Sequence, residues 1–339
     1  MLPTLAGIPD VRIAALMDPS PDAIEKAFAL ASDLGLGILN GASKTSDCQS
    51  VSEDRYDVAL IASPHAFHHE QVRRCLAHGK PVFTEKPLAC RFLEALEVAE
   101  ASGAVGMAVC EPRQFRPDLV YVRDLACTGA IGELRTVRYE DSIPMSPLFA
   151  KSWRNDPDLA GGGVLLDLGC HTLSAGLGII GRHSSSAVLE DVQLRRGRYS
   201  VETEATLRIR VANVCLFVSI RLVDEGSKGY ERLILFGTTG RISLRRQRGA
   251  SNLSRVQITS PGLKSSIPIP VGTDFDSENL RRFMAHPQAA PNGNLWSHLA
   301  ALRLISQAYG KAEASSDEIA LKEVPYIQEE WLTEAGRVR

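Results

Sequence analysis

From Val11 to Cys110, apolar runs of strand length alternate with longer segments whose apolar residues recur at helical spacing. That alternation is the tightest constraint on what this chain folds into. The run VRIAALMDPS ends at Asp18 and Pro19. Pro21 to Leu34 has helical spacing, with Pro21 near its start and Gly35 after its end. DVALIAS, from Asp57 to Ser63, has strand length; HHEQVRRCLAHG reads as a helix closed by Gly79, and PVFTEKP as a strand. RFLEALEVAEASG predicts a further helix, and AVGMAVC, from Ala104 to Cys110, a further strand. Strand, helix, strand at this spacing predicts a parallel sheet covered on both faces.

The pattern then changes. Residues 204–223 alternate apolar and polar in two arms around Ala212-Asn213, with Leu207, Ile209 and Val211 on one face and Arg208 and Arg210 on the other. RLILFG and GRISLRR continue in the same manner, which predicts an antiparallel sheet with one face solvated or covered by another subunit. A helix-rich tail is expected from about Glu278 to Trp331. The 339 residues suit two domains, divided here as 1–114 and 115–339.

Composition narrows the function. With 38 basic and 40 acidic residues well mixed, there is no electrostatic case for nucleic acid or an anionic membrane. No uninterrupted apolar run reaches the roughly 18 residues of a spanning helix. Nor does the start read as a signal peptide. Seven dispersed cysteines without a CxxC pair suit reduced thiols in a cytosol rather than disulfides or a zinc site. The expectation is a cytoplasmic globular protein.

Two segments carry candidate chemistry. In FTEKPLA, Lys86 follows a parallel strand, and a lysine there points into the crevice where such sheets bind ligands. Its ammonium can hydrogen-bond a substrate oxygen, although an isolated EKP is more often a solvated loop. In GGGVLLDLGCHTLS, Asp167 and His171 stand four residues apart, on one face if the segment is helical. Histidine titrates near neutrality and can move a proton. The carboxylate one turn away can hold the imidazole in one tautomer or bind substrate. The blander reading is a buried helix whose Asp and His satisfy each other.

Three further segments are set aside. SPHAFHH holds three histidines, but only Glu70 stands beside them at ligand spacing, so no metal is expected. LGLGILNG is G-x-G-x-x-x-G and follows a helix, whereas a phosphate-binding fingerprint follows a strand. RRQRG near Arg245 reads as a solvated hairpin tip.

Taken in order, VRIAALMDPS, DVALIASPHAFHHEQVRRCLAHGKPVFTEKPLA, RQFRPDL, GAIGELR, SWRNDP and GGGVLLDLGCHTLS resemble the glucose–fructose oxidoreductase and inositol dehydrogenase (Gfo/Idh/MocA) family, as does LILFGTTGRISL further on. The resemblance covers nearly the whole chain from residue 5. It implies an α/β fold: an N-terminally truncated Rossmann (doubly wound parallel) domain, then an α+β domain with an open, mostly antiparallel sheet. That sheet often joins subunits in the family, which implies a homo-oligomer, a dimer or tetramer. It implies NAD or NADP and a sugar, polyol or similar small polar substrate. Carried over, Lys86 contacts the reacting oxygen, His171 is the general acid/base, and Asp167 is its neighbour in the substrate pocket. Ser63, Pro64, His65 and Glu85 border the nicotinamide side, and Trp153 and Arg154 close over it. Asp18 holds the adenosine ribose, which favours NAD.

Three departures from the family pattern stand out. His65 replaces a common asparagine, and Ser174 replaces a frequent aspartate. The third concerns the start. The glycine fingerprint lies about 20 residues before the ribose-binding acid, whereas here 17 residues precede Asp18 and Met1–Asp10 holds one glycine, Gly7. Such glycines expose backbone N–H groups to the pyrophosphate at a helix N-terminus. Two or three lost charge-assisted bonds cost about 3–9 kcal/mol, so weak NAD binding by this polypeptide is expected. The first strand is central in a 3-2-1-4-5-6 sheet, and two unpaired inward strand edges are expected without it. Two explanations stand: a shortened dehydrogenase, or a cofactor-poor relative that binds or transfers protons without redox chemistry. A third reading, a NAD-dependent glycoside hydrolase, also needs the cofactor.

Overall fold

The computed structural model describes residues 1–47, 50–144, 149–181, 186–224, 226–249, 252–272, 275–288 and 294–314. The part of the expected helical tail between Ala314 and Trp331 lies outside the described residues.

The first part of the chain runs α1 (Leu2–Ala6), β1 (Ala15–Met17), α2 (Pro21–Asp33), β2 (Ser43–Thr45), β3 (Ala59–Ile61), α3 (His68–Ala77), β4 (Val82–Thr84), α4 (Phe92–Ala101) and β5 (Met107–Val109). Local chemistry sets the ends. Ser20 accepts a hydrogen bond from the Ala23 N–H at the start of α2, Pro21 occupies its first turn, and Gly35 (φ +66°) follows it in the left-handed region. Every strand here has three residues, shorter than the apolar runs that contain it.

These strands are parallel, as expected, but they form two sheets rather than one. β1 pairs with β2, and β3–β4–β5 form the other sheet. Among the described residues, β1 has no strand partner except β2, and β3 none except β4. The consequence shows in burial. All residues of β4 and β5 are buried, whereas β1 is half-buried throughout and β3 is buried only at Ile61. The two inward edges expected from the sequence are present.

The second part follows α5 (Pro117–Cys127) with β6 (Leu134–Pro144), α6 (Pro157–Ala160), α7 (Val164–Asp167) and α8 (Gly169–Ile180). Next come β7 (Val188–Arg195), β8 (Glu204–Val211), β9 (Val214–Val223), β10 (Tyr230–Gly237), β11 (Arg241–Gln247), β12 (Leu253–Ser260) and β13 (Leu263–Pro270). α9 (Phe275–Ala285) and α10 (Asn294–Ala314) close the described chain. The eight strands lie in the order β13-β12-β11-β10-β6-β9-β8-β7, antiparallel except for the parallel pair β6–β9. Leu207, Ile209 and Val211 face the core while Arg208 and Arg210 are exposed, which is the alternation read from the sequence.

One core joins the two parts. Val82, Leu88, Met107 and Val109 pack in the same cluster as Leu165, Leu207, Leu233, Leu299 and Ile305, so α10 sits between the small sheet and the large one. A second cluster holds Leu5 of α1 and Leu280 and Phe283 of α9 against Phe83 and Ala108. Among the described residues, one stretch, Pro157–Ile180, has the length and mean hydropathy of a membrane span, although Asp158, Asp167 and His171 interrupt its apolar run. Its window is 78% buried inside the fold, which is where a core helix puts its apolar side chains.

Candidate active site

β4 delivers Glu85 and Lys86 to the carboxyl end of the three-stranded sheet, where the Lys86–Pro87 peptide is cis. Lys86 Nζ donates to Asp167 Oδ1 at 2.5 Å and to the Asp167 carbonyl at 2.6 Å. Both side chains are only 11% exposed, so the pair is shielded from water. Burial pushes the Lys86 ammonium down, but the Asp167 carboxylate outweighs it and the pKa is raised. Burial pushes Asp167 up, and Lys86 more than reverses this, to about 2.

Asp167 gathers more of the expected residues. Arg154 Nε lies 3.2 Å from Oδ2, and the Arg154 guanidinium stacks 4.3 Å from the Trp153 ring. Trp153 meets His65 edge to face at 4.6 Å. His65 places Nδ1 2.9 Å from the Ala160 carbonyl and Nε2 3.6 Å from Asp167 Oδ1. A carbonyl only accepts, so Nδ1 carries the ring proton. Burial, with Lys86 nearby, pushes the His65 pKa down to about 3, so the ring is neutral.

His171 stands differently from expectation. Its helix is interrupted: α7 ends at Asp167, Leu168 intervenes, and α8 begins at Gly169. The carboxylate that holds its imidazole is Glu111, with Oε2 2.7 Å from His171 Nδ1. Asp167 is committed to Lys86 instead, which corrects the pairing read from the four-residue spacing. The physical reason is burial. An unpaired buried ammonium is costly, and Asp167 is the anion within its reach. Burial pushes the His171 pKa below its ordinary value, and Glu111 only partly offsets this. Burial likewise pushes Glu111 up, but its two histidine partners hold it far below the usual carboxylate range.

The other Glu111 oxygen, Oε1, lies 2.8 Å from Nδ1 of His298 on α10. His298 Nε2 accepts from the Leu88 N–H at 3.1 Å. Sequence reasoning missed both residues. Glu111 had a signal, because it follows β5 as Lys86 follows β4. His298 had none, being 187 positions from its partner.

Glu85, Phe83, Cys110 and His171 line a cavity of about 300 Å³ that also touches Met1 and Thr4. Ser63 Oγ donates to Gln71 Oε1 at 2.7 Å, and Pro64 leads into α3 beside it. His68 bridges this turn to the lysine loop, with ring nitrogens 2.8 Å from the Ser63 carbonyl and 2.6 Å from the Pro87 carbonyl. Asp18 lies on the other small sheet, at the end of β1, and accepts from the Ser20 N–H at 2.8 Å. The three histidines of SPHAFHH reach three different sets of partners, His69 turning outward to Glu97 at 3.0 Å.

Three other sequence features resolve physically. A Cβ at Gly161 would strike Cys90, one at Gly162 the Tyr309 hydroxyl, and one at Gly163 the Glu202 backbone. The glycines therefore serve close packing. The Glu202 carboxylate accepts from the Gly163 and Leu165 N–H groups and from Tyr309, so it occupies the anion position at the start of α7. LGLGILNG follows α2 and forms a 3₁₀ turn at Gly37–Leu39, not a phosphate loop. RRQRG is not simply a solvated tip: Arg248 Nη2 reaches the buried Asp141 at 2.5 Å, and Arg246 lies 3.9 Å from the buried Glu231.

Glu111, Cys170 and His171 have potential metal-ligand atoms within 4.8 Å of one another. One pair, His171 Nδ1 and Glu111 Oε2 at 2.7 Å, is at hydrogen-bond distance and tighter than two ligands around one zinc. For a nicotinamide dinucleotide the fit is divided. Glu85, His171 and the cavity suit its reactive end, and the Asp18 carboxylate suits a ribose. Among the described residues, no glycine-rich strand-to-helix turn offers N–H groups to a pyrophosphate.

The comparisons agree with this architecture. Residues 2–110 match the model of the oxidoreductase family with an NAD-binding Rossmann fold, and residues 119–243 match the GFO/IDH/MocA C-terminal domain. A dTDP-3,4-didehydro-2,6-dideoxy-alpha-D-glucose 3-reductase from Streptomyces violaceoruber is 33% identical over 51% of this chain and 48% of its own. The chain thus spans about half the length of that relative in the alignment. The Streptomyces antibioticus protein of the same name is 28% identical over 88% of this chain and 87% of its own. In structure, a 3-ketoreductase from Actinomadura kijaniata, solved with NADP and TDP-benzene, aligns with TM-score 0.76 at 20% identity, over 91% of this chain and 92% of that one. An aldose-aldose oxidoreductase from Caulobacter crescentus, solved with glycerol, aligns with TM-score 0.75 at 20% identity, over 92% and 93% of the two chains. Two matched domain models, in order and over most of the described chain, make this protein a member of the Gfo/Idh/MocA oxidoreductase family.

Proposed function

We propose that this oxidoreductase uses NAD(P) to interconvert a hydroxyl and a carbonyl on a sugar, polyol or similar small polar molecule. The observation that carries the reading is a neutral His171 lining a cavity at the carboxyl end of the small sheet, with the buried, cationic Lys86 close to it and next in sequence to Glu85 of the cavity wall. A nicotinamide dinucleotide, when bound, supplies or accepts the hydride. Lys86, held charged by Asp167, donates a hydrogen bond to the reacting oxygen and steadies negative charge developing there. His171, neutral at physiological pH, takes the hydroxyl proton in oxidation and returns it in reduction. Asp167 fixes Lys86, and Arg154 with Trp153 covers the pair. Asp18 holds a ribose, which favours NAD over NADP. The unit 1–114 carries the nucleotide and 115–339 the substrate, with the outer face of the large sheet joining copies of the chain. Scattered free thiols suit a cytoplasmic setting.

One observation favours the cofactor-poor reading: the parallel strands divide into two sheets between β1 and β3. A screen of aldoses, ketoses and polyols against NADH, NADPH and their oxidised forms separates the two. Reduced-nicotinamide absorbance should change with at least one substrate. Lys86→Met and His171→Asn should each lower kcat by about 10²–10⁴-fold while circular dichroism stays unchanged. Normal turnover by the lysine variant would remove the site assignment.

A further inference from the structure

We infer that Glu111 is the positioning residue of this site, setting through one shared carboxylate both the tautomer of His171 and the seat of the Lys86 loop. The argument starts at His298. Its Nε2 accepts from the Leu88 N–H at 3.1 Å, so the ring proton is on Nδ1, which donates to Glu111 Oε1 at 2.8 Å. Glu111 is fully buried, and its carboxylate only accepts. His171 Nδ1, 2.7 Å from Oε2, must therefore also carry its proton. That leaves His171 Nε2 as the free lone pair, the form a general base requires.

The same carboxylate reaches the lysine. Leu88 lies two residues after Lys86, and its N–H is tied through His298 to Glu111. Acid and base are thus referred to one buried anion. The charged and titratable groups around His171 include Glu111 after β5, Lys86 after β4, Arg113 in the following turn, Cys170 beside it, and His298 of α10 across the shared Glu111. Among these groups, Glu111 is the one that hydrogen-bonds the ring.

Glu111→Gln tests this sharply, since glutamine has the same shape but one acceptor and one donor. His298 cannot flip, because its Nε2 is held by Leu88, so the amide oxygen must face His298 and the amide NH₂ must face His171. The His171 proton then moves to Nε2. Nitrogen-15 NMR of the imidazoles should show the Nδ1–H form of His171 in the wild type and the Nε2–H form in Glu111→Gln. The rate arm rests on the proposed function. There kcat should fall on the order of 10²–10⁴-fold, as an inverted tautomer does in other enzymes, with KM little changed. The acid limb of its pH profile should shift as well. Glu111→Asp, which keeps two acceptors, should retain the tautomer and most of the rate.

An Nε2–H tautomer in the wild type would overturn the inference, whatever the variants do. So would a Glu111→Gln protein with both tautomer and kcat unchanged. A switched tautomer in a protein whose wild type turns over no sugar or polyol would sink the proposed function and leave the positioning role standing.

Discussion

His65 shows how a single side chain couples this site to the stability of the fold. Its ring is buried against Trp153 and Asp167 and stays neutral down to a pKa of about 3, against 6.5 for an exposed histidine. The unfolded ring therefore binds a proton below 6.5 and the folded ring does not until about 3. Stability from this group is complete above 6.5 and falls as pH drops through that window. The slope is up to ~1.4 kcal/mol per pH unit. Asp167 acts lower down: its stabilisation is present above 3.8 and lost as pH falls toward 2. Urea unfolding should show the wild type losing about 2 kcal/mol more between pH ~7 and ~5 than His65→Gln. Parallel pH dependence of the two proteins would contradict this account of His65. The position was legible as a departure from the family asparagine. Its neighbours Ala160, Trp153 and Asp167 come from distant segments, which no local pattern could join.

At the scale of elements, the turn from α6 into α7 is held by close contacts. Gly163 lies so near the Glu202 backbone that a Cβ there would overlap it, and its N–H donates to the Glu202 carboxylate at 2.9 Å. Gly163→Ala should destabilise the protein by about 1–3 kcal/mol, read as a lowered urea midpoint with unchanged slope. Gly178→Ala, with nothing within 4 Å of its Cβ, should not destabilise it. The sequence pattern exposed the three glycines and the helix after them. It did not expose why they are glycines, because Cys90, Tyr309 and Glu202 approach from elsewhere. The same limit explains the Asp167–His171 pairing. Four-residue spacing suggested a mutual contact, but spacing alone does not register a break at Leu168 or competing partners such as Lys86 and Glu111. The faces of β8 read correctly because strict alternation is a local property.

For the whole molecule, the order of motifs conveyed two sheet systems, one parallel and one mostly antiparallel, and the edges left at β1 and β3. Long-range polar structure was invisible. Arg113, Arg116, Asp118, Asp141 and Glu231 form a buried ion-pair cluster, with Arg113 2.5 Å from Asp141 and Arg116 2.7 Å from Glu231. In the sequence these were only charges scattered over 119 positions. Arg113 also donates to Thr172 at 3.1 Å, next to His171, so this cluster braces α8 beside the candidate site. What most directly tests the central claim is calorimetric titration of the folded 339-residue chain with NADH and with NADPH. The account predicts saturable binding of at least one, weakened to about the millimolar range because no turn among the described residues offers N–H groups to the pyrophosphate, and tighter for NADH because of Asp18. A folded sample that binds neither would contradict it, and would turn Lys86 and His171 over to chemistry that needs no nicotinamide.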